Sequence, residues 1–337
     1  MEKPSKQEWE QLYEAASQFK ESLCWTWMYD GDIFAVEDPE TGQVAYCSIM
    51  GNAGQLVGIA AYLGPEGLLN LTELLLFDND HDEFRYKQKC LMLSYGDRGD
   101  LEAQDLKVIK DIGLKFRGRG QWPQFQDFSP GKLPWFLQGP QCRFLGQIIR
   151  QAVAVATRCK NNKDLLTNYP EELKMLVRVS DRKKGTWKDE YREARAMASY
   201  LSLAIRDELL LRKLHKFRGR PGGVLEVETF YCPTPVVEEK GERPFFPRMC
   251  TFVDHHSGMV LGYKNFTDLA EEGHQCLDGL IATITKLGVI PSQILVRKDE
   301  SFYLFKDVCQ QLGIELVQVE KLEFTQEVKA GLFEFMG

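Results

Sequence analysis

The residues of this chain best suited by type to chemistry are the run Asp254-His255-His256. Carboxylate and imidazole are both metal ligands, and an imidazole also transfers protons near neutral pH. Adjacent residues of a strand point to opposite faces, so only Asp254 and His256 could share one site. The favoured interpretation is a tight turn, because Asp254 and Ser257 are residues that cap backbone donors ahead of a glycine.

A second candidate is a group of cations in and just after a predicted helix, at Arg212, Lys213, His215, Lys216, Arg218 and Arg220. Cations at this density can neutralise phosphate groups, so Arg212, Lys213, Arg218 and Arg220 are candidate binding residues. The alternative needs no ligand, because cations at a helix C-terminus gain about 0.3 to 1 kcal/mol from the helix macrodipole.

Common catalytic and nucleotide-binding motifs are absent from the sequence. There is no GKS or GKT pattern, so a nucleotide-binding P-loop is not predicted. GxSxG, HExxH and EF-hand patterns are absent as well. The nine cysteines are scattered without a CxxC pair, which favours buried reduced thiols over a zinc site or a disulfide framework.

Composition limits the classes of protein that this chain can belong to. Its 337 residues are 44% hydrophobic and 27% charged, a globular balance that excludes a low-complexity polymer. The net charge of -7 supplies no global attraction for nucleic acid, so such binding would need a local patch. No apolar run approaches the roughly 18 residues that span a bilayer, and the N-terminus has no apolar signal region. We therefore expect a cytoplasmic location and no membrane partner.

The first half of the chain mixes strands and helices without a regular alternation, so residues 1–185 are predicted to form an α+β module. Residues 7–23 have apolar side chains at three- and four-residue spacing, and Asp38-Pro39-Glu40-Thr41-Gly42 indicates a hairpin turn. All six tryptophans lie at or before Trp187, which indicates a boundary near 180–190. Residues 186–223 are predicted to form a helical linker, with a helix over 194–217.

The order of elements is clearer after residue 223. It reads strand, strand, strand, helix, strand, helix, strand, helix, which is the order in ribonuclease-H-like domains. Residues 224–337 are therefore predicted to form an α/β module of that type. The predicted strands cover 224–231, 249–254, 259–265, 294–297 and 314–319, and the predicted helices cover 269–287, 302–312 and 324–335.

Nearly the whole chain resembles an uncharacterised bacterial family with an N-terminal and a C-terminal module, both of unknown function. In the first module the match is carried by Leu114-Lys115-Phe116-Arg117-Gly118-Arg119 and Pro134-Trp135-Phe136. In the second it is carried by Phe230-Tyr231-Cys232-Pro233-Thr234-Pro235 and Leu295-Val296-Arg297-Lys298. This resemblance implies no activity.

More distantly, residues 224–330 resemble the catalytic core of transposases and integrases, through the run Val253-Asp254-His255-His256-Ser257-Gly258 and the strand after it. That resemblance implies acids on the first strand, the fourth strand and a late helix, which hold two Mg²⁺ ions about 4 Å apart for phosphoryl transfer. Carried over residue by residue, the first acid falls on Glu228 and the last on Glu323 or Glu327.

The fourth-strand position departs from the pattern of those enzymes. It falls on Arg297, with Lys298 next to it. A cation at a metal-ligand position adds positive charge and offers no lone pair, so it opposes metal binding. Asp299 is the nearest acid and would serve only if the strand end bends or slips.

Two hypotheses follow from these residues. The leading one is a non-catalytic binding or adaptor protein without a cofactor, which engages a protein, or alternatively nucleic acid, through the second module. Arg297, Lys298 and His256 are further candidate binding residues. The leading hypothesis predicts that Arg297 or Lys298 either fills the point where the metal-binding carboxylates would converge or pairs with Glu228. The alternative is a nuclease or strand-transfer relative that requires Mg²⁺. Its catalytic acids would be Glu228, Asp254, Asp299 and Glu327.

Overall fold

The computed structural model describes residues 2–76, 83–181, 184–218 and 222–336. The chain divides into two compact units. The first comprises Met1–Pro130 and Pro134–Ala198, and the second comprises Gly131–Leu133 and Ser199–Gly337. Within the described residues, no helix has the length and apolar character needed to cross a membrane.

The first unit is built on a seven-stranded sheet with the order β5-β4-β3-β2-β1-β6-β7. Neighbouring strands are antiparallel except β1 and β6, which are parallel. Its strands are β1 (Phe34–Glu37), β2 (Val44–Met50), β3 (Gly58–Leu63), β4 (Cys90–Gly96), β5 (Trp122–Phe128), β6 (Lys174–Asp181) and β7 (Thr186–Glu193). Its helices are α1 (Lys6–Ser22), α2 (Gly64–Leu76), α3 (Phe84–Lys87), α4 (Ala103–Asp111) and α5 (Gly139–Cys159).

Helix α1 forms where its sequence predicts, because its start is capped and one side is apolar. The Ser5 hydroxyl accepts from the Glu8 backbone N–H, and the Glu8 carboxylate accepts from the Ser5 N–H, a capping box. Leu12 and Phe19 on its apolar side are fully buried and belong to the main core of the unit, together with Ile148 of α5.

All nine cysteines of the chain are buried and free.

The second unit is built on a five-stranded sheet with the order β10-β9-β8-β11-β12. Strands β8, β9 and β10 are successively antiparallel, while β11 is parallel to both β8 and β12. Its strands are β8 (Val224–Tyr231), β9 (Arg248–Asp254), β10 (Val260–Phe266), β11 (Gln293–Val296) and β12 (Glu315–Gln318). Its helices are α6 (Glu208–His215), α7 (Leu269–Glu272), α8 (His274–Leu287), α9 (Asp299–Leu312) and α10 (Glu323–Met336).

Strand β8 is central in this sheet, and its two faces differ. Leu225 and Val227 belong to a core that also contains buried residues of α8 and α9. Phe230 points the other way and packs with Leu332 and Phe333 of α10. The side chains that alternate with Leu225 and Val227 therefore lie under α10.

The predicted helical linker over 186–223 is wrong for most of its length. Residues 186–193 form β7, which pairs with β6 along its whole length, and among the described residues of this range helix occurs only at α6. In the segment between them, Leu203 and Ile205 are both buried against the second core, a spacing of two that belongs to extended chain. The Ile205 backbone also donates to and accepts from the side-chain amide of Gln311, which replaces helical hydrogen bonds.

Candidate functional site

Two glutamates of β8 define the candidate site. Glu226 and Glu228 are two residues apart, so both point to the face that α10 covers. Glu226 is 0% exposed and Glu228 is 1% exposed. A buried carboxylate without partners is costly, so the partners of each glutamate show what the site is built to do.

Glu228 is paired with cations that the chain itself supplies. The Arg297 guanidinium donates to Glu228 Oε1 from Nη2 at 3.0 Å and from Nε at 3.3 Å. Lys298 Nζ lies 3.4 Å from the same oxygen. The parallel register sets Leu295 opposite Glu226. Arg297 and Lys298, which follow β11 directly, therefore lie beside Glu228.

Lys298 also links this pair to a second ion pair. Its Nζ donates to the Thr229 carbonyl at 2.6 Å. The Thr229 hydroxyl donates to Glu300 at 3.2 Å, and Glu300 forms an ion pair with the buried Arg248. The carboxyl end of β8 therefore has two carboxylates beside three cations of the same chain, at the edge where open α/β sheets commonly hold ligands.

Glu226 has a different set of partners, and the sequence did not single it out. Its Oε2 accepts from the Thr325 backbone N–H at 2.8 Å and from the Thr325 hydroxyl at 2.9 Å. Its Oε1 lies 2.7 Å from His255 Nδ1. Thr325 lies in the first turn of α10, where backbone N–H groups lack helical acceptors. Glu226 thus fixes the start of α10, and His255 orients the carboxylate.

Asp254 accepts the hydrogen bonds that hold the turn after β9. Its Oδ1 accepts from the Ser257 hydroxyl at 2.7 Å, from the Ser257 N–H at 2.8 Å and from the His256 N–H at 3.2 Å. His256 is exposed, while His255 faces Glu226. Gly258 completes the turn with φ of 69°, and a side chain there would lie 2.6 Å from the ring of Phe324.

The hydrogen bonds to Asp254 predict a pH effect on stability. Those bonds hold the pKa of the Asp254 carboxyl below its ordinary value, and the bond from the Ser257 hydroxyl has the largest effect. A lowered folded-state pKa contributes stability above the unfolded-state pKa of about 3.9, and this stability is lost as pH falls through the folded-state value. We expect Asp254→Asn to lower the urea midpoint of the second unit near neutral pH.

The difference should vanish on acidification, when the wild-type carboxyl is protonated as well. Urea midpoints of both chains over a pH series, followed by hydrogen exchange in the second unit, measure it. A difference that stays constant down to the acid limit would show that the carboxylate charge contributes nothing.

The remaining acids predicted for catalysis lie in other surroundings. Asp299 is exposed at the first turn of α9 and accepts from the Gln318 side-chain amide at 2.7 Å. Glu327 is exposed on α10. Across residues 2–76, 83–181, 184–218 and 222–336, no group of three or more His, Cys, Asp or Glu side chains is arranged to hold a metal ion.

The cations predicted for binding divide into two sets. Arg212 and Lys213 are exposed, and Arg212 lies 3.8 Å from Glu208 one turn earlier on α6. Arg218 Nη2 and His215 Nε2 both lie 3.1 Å from the Gln311 carbonyl, near the C-terminus of α9. These two contacts place basic side chains at the C-terminal end of α9, which is the favourable interaction with a helix macrodipole described in the sequence analysis. Arg220 lies outside the described residues.

Comparisons with known proteins give a family and little more. Residues 9–178 match the family model described as Domain of unknown function (DUF7309), and residues 210–333 match Domain of unknown function (DUF6930). No curated protein matches the chain.

Among solved structures, the chain is similar to one in the cryo-EM structure of a simian T-cell lymphotropic virus intasome in complex with PP2A regulatory subunit B56 gamma. The identity is 17% and the TM-score is 0.25, and the match covers 33% of this chain and 38% of that chain. The first family model covers half of the sequence. The chain therefore belongs to the family of proteins that carry the DUF7309 domain of unknown function.

Proposed function

We propose that the second unit is a ribonuclease-H-like module that does not cleave nucleic acid and instead acts as a binding or adaptor module. The topology supports the first part of this proposal. Three antiparallel strands, a helix and then two parallel strands give the sheet order β10-β9-β8-β11-β12, with the first strand of the module at the centre. In such a sheet, the ends of β8 and β11 are where a metal-dependent enzyme would place its ligands.

The ion pair between Glu228 and Arg297 carries the second part. Metal-dependent phosphoryl transfer needs carboxylate oxygens free to bind cations. Glu228 Oε1 already accepts two hydrogen bonds from Arg297, with Lys298 Nζ at 3.4 Å. A Mg²⁺ ion there would face two fixed positive charges at close range, a repulsion that little solvent screens in a buried site.

A ribonuclease-H-like fold without metals can still serve as a binding module, because one fold hosts many functions. The residues around the ion pair then stabilise the module, and its outer surface contacts the partner. His256, Arg212 and Lys213 are exposed and belong to that surface.

The direct test is incubation of the full chain with single- and double-stranded DNA and RNA, in separate reactions with Mg²⁺ and Mn²⁺. We expect no cleavage by the wild-type chain in any of them. Glu228→Gln is the matched control, since it keeps the size of the side chain and removes its charge. Cleavage by the wild-type chain that Glu228→Gln abolishes would overturn the proposal in favour of a metal-dependent nuclease.

A further inference from the structure

Strand β10 leaves one edge of the second sheet open. It is the first strand in the order β10-β9-β8-β11-β12, so among the described residues no strand lies next to one side of its backbone in that sheet. Three large apolar side chains on this strand and just before it are exposed: Met259 at 60%, Val260 at 41% and Tyr263 at 60%. An open edge with apolar side chains is a template for pairing with another strand.

The other sheet edges in the described residues are protected. Along β7, Lys188 and Arg192 both form ion pairs with Glu190. Strand β5 contains Pro123 and is bridged by Trp135. Strand β12 is four residues long, and both of its terminal side chains are exposed and polar. Charges, proline, bulges and short length are the usual protections of an edge. Strand β10 has one charge, at Lys264, and a register irregularity between Val260 and Gly262, and it keeps an exposed apolar surface at Val260 and Tyr263.

The helix on this face is too narrow to cover β10. Val260 pairs with Val253 and Tyr263 pairs with Thr251, so both exposed side chains share the face of the sheet on which α10 lies. A helix is about 10 Å wide, whereas strands are about 4.8 Å apart. Helix α10 packs on β8 and β9 at the centre of the sheet. The face near β10 therefore stays exposed.

The open edge restricts what its occupant can be. The occupant must supply backbone donors and acceptors in extended conformation, together with uncharged apolar side chains. The β10 strand of a second copy has both properties. An antiparallel pairing centred on Tyr263 sets the two tyrosines opposite each other and each Lys264 opposite a Gly262. Lys264 is the one charged residue of β10, so this register brings no like charges together.

A pairing with a different edge of the second copy is less favourable. Five of the eight residues of β7 are charged, and their charges would lose water beside the apolar surface of β10. The pairing of two β10 strands is also two-fold symmetric and therefore closes at a dimer. We propose that two copies of this chain associate through β10, edge to edge and antiparallel, to form one sheet that continues across both second units.

The test measures the mass of the full chain in solution, from low to high micromolar concentration, by sedimentation or light scattering. We expect the wild-type chain to shift from one to two copies as concentration rises. Tyr263→Lys should remain a single copy, because two added cations would then meet at the centre of the pairing beside Lys264. Leu209→Lys is the matched control, since Leu209 is an exposed apolar residue of the same unit at 67%. It should dimerise as the wild-type chain does.

Hydrogen exchange locates the contact. Backbone amides of β10 should exchange more slowly at high concentration in the wild-type chain, and Tyr263→Lys should abolish this difference. A wild-type chain that remains a single copy throughout would overturn the inference and leave the edge to a strand of another protein. A dimer that Tyr263→Lys does not weaken would overturn it as well. Neither outcome depends on whether the chain binds metal or cleaves nucleic acid.

Discussion

Replacing Arg297 and Lys298 together with methionine is expected to lower the free energy of unfolding of the second unit by about 3 to 5 kcal/mol, the cost of leaving a buried charge unpaired. Glu228 is 1% exposed, and its hydrogen bonds come from Arg297, with Lys298 beside it. Methionine fills similar volume without charge, so the loss measures the uncompensated carboxylate, together with the hydrogen bond from Lys298 to the Thr229 carbonyl, rather than a cavity. The measurement is urea unfolding followed by hydrogen exchange in peptides of α8 and α9.

The distribution of tryptophan supplies an internal reference for this experiment. All six tryptophans lie at or before Trp187, so intrinsic tryptophan fluorescence reports on the first unit. Its urea midpoint should not change. Arg212→Met with Lys213→Met is the matched control, because those two cations are exposed and such changes stay within about 0.5 kcal/mol.

Adding Glu228→Met to the Arg297 and Lys298 substitutions should restore most of the lost stability, because an apolar set of similar volume replaces a buried ion pair at little cost. A double variant as stable as the wild-type chain would contradict the role assigned to this pair. So would a triple variant that is less stable than the double variant.

Replacing Glu226 with alanine is expected to release α10 from the sheet. The substitution removes the acceptor of two hydrogen bonds from Thr325 and the partner of His255 Nδ1. Each donor left unsatisfied in a buried site costs about 1 to 3 kcal/mol, and the costs are not additive. We expect a total loss of about 3 kcal/mol for the second unit, on the scale of a broken buried network.

Hydrogen exchange along α10 measures this release directly. Amides of α10 should exchange faster in Glu226→Ala at urea concentrations where α8 remains protected, because the first turn of α10 has lost its acceptor. Glu327→Ala is the matched control, since Glu327 is an exposed acid on the same helix. Unchanged exchange along α10 in Glu226→Ala would show that Glu226 does not fix this helix.

Much of the second unit could be predicted from its sequence, because local patterns and packing agree there. The order of strands and helices after residue 223 matches the predicted order, and the turn at Asp254 has the capping that its residue types predict. The resemblance to integrase cores placed Glu228 and Arg297 at metal-ligand positions of the first and fourth strands, and in the structure the two side chains are hydrogen-bonded at 3.0 Å. The finer assignment of a ribonuclease-H-like fold stays a proposal.

Other features depended on partners far away in the chain. Leu203 and Ile205 lie in a leucine-rich stretch that reads as helix, but Gln311 binds the Ile205 backbone and keeps the segment extended. The sequence alone assigned no role to Glu226, because its role depends on a hydrogen bond from Thr325, 99 residues later. A signal was present, since two glutamates alternate within strand β8, whose other residues are apolar apart from Thr229. Acids at such positions are buried and therefore need partners.

The central claim is that Arg297 and Lys298 occupy the place where a metal would have to bind Glu228. Thermal unfolding of the full chain with increasing Mn²⁺, compared with Glu228→Gln, tests it most directly. A ligand at 100 times its dissociation constant stabilises the folded state by about 2.7 kcal/mol, enough to raise Tm by several degrees. We predict no rise in Tm for either chain. A rise in the wild-type chain that Glu228→Gln removes would contradict the account.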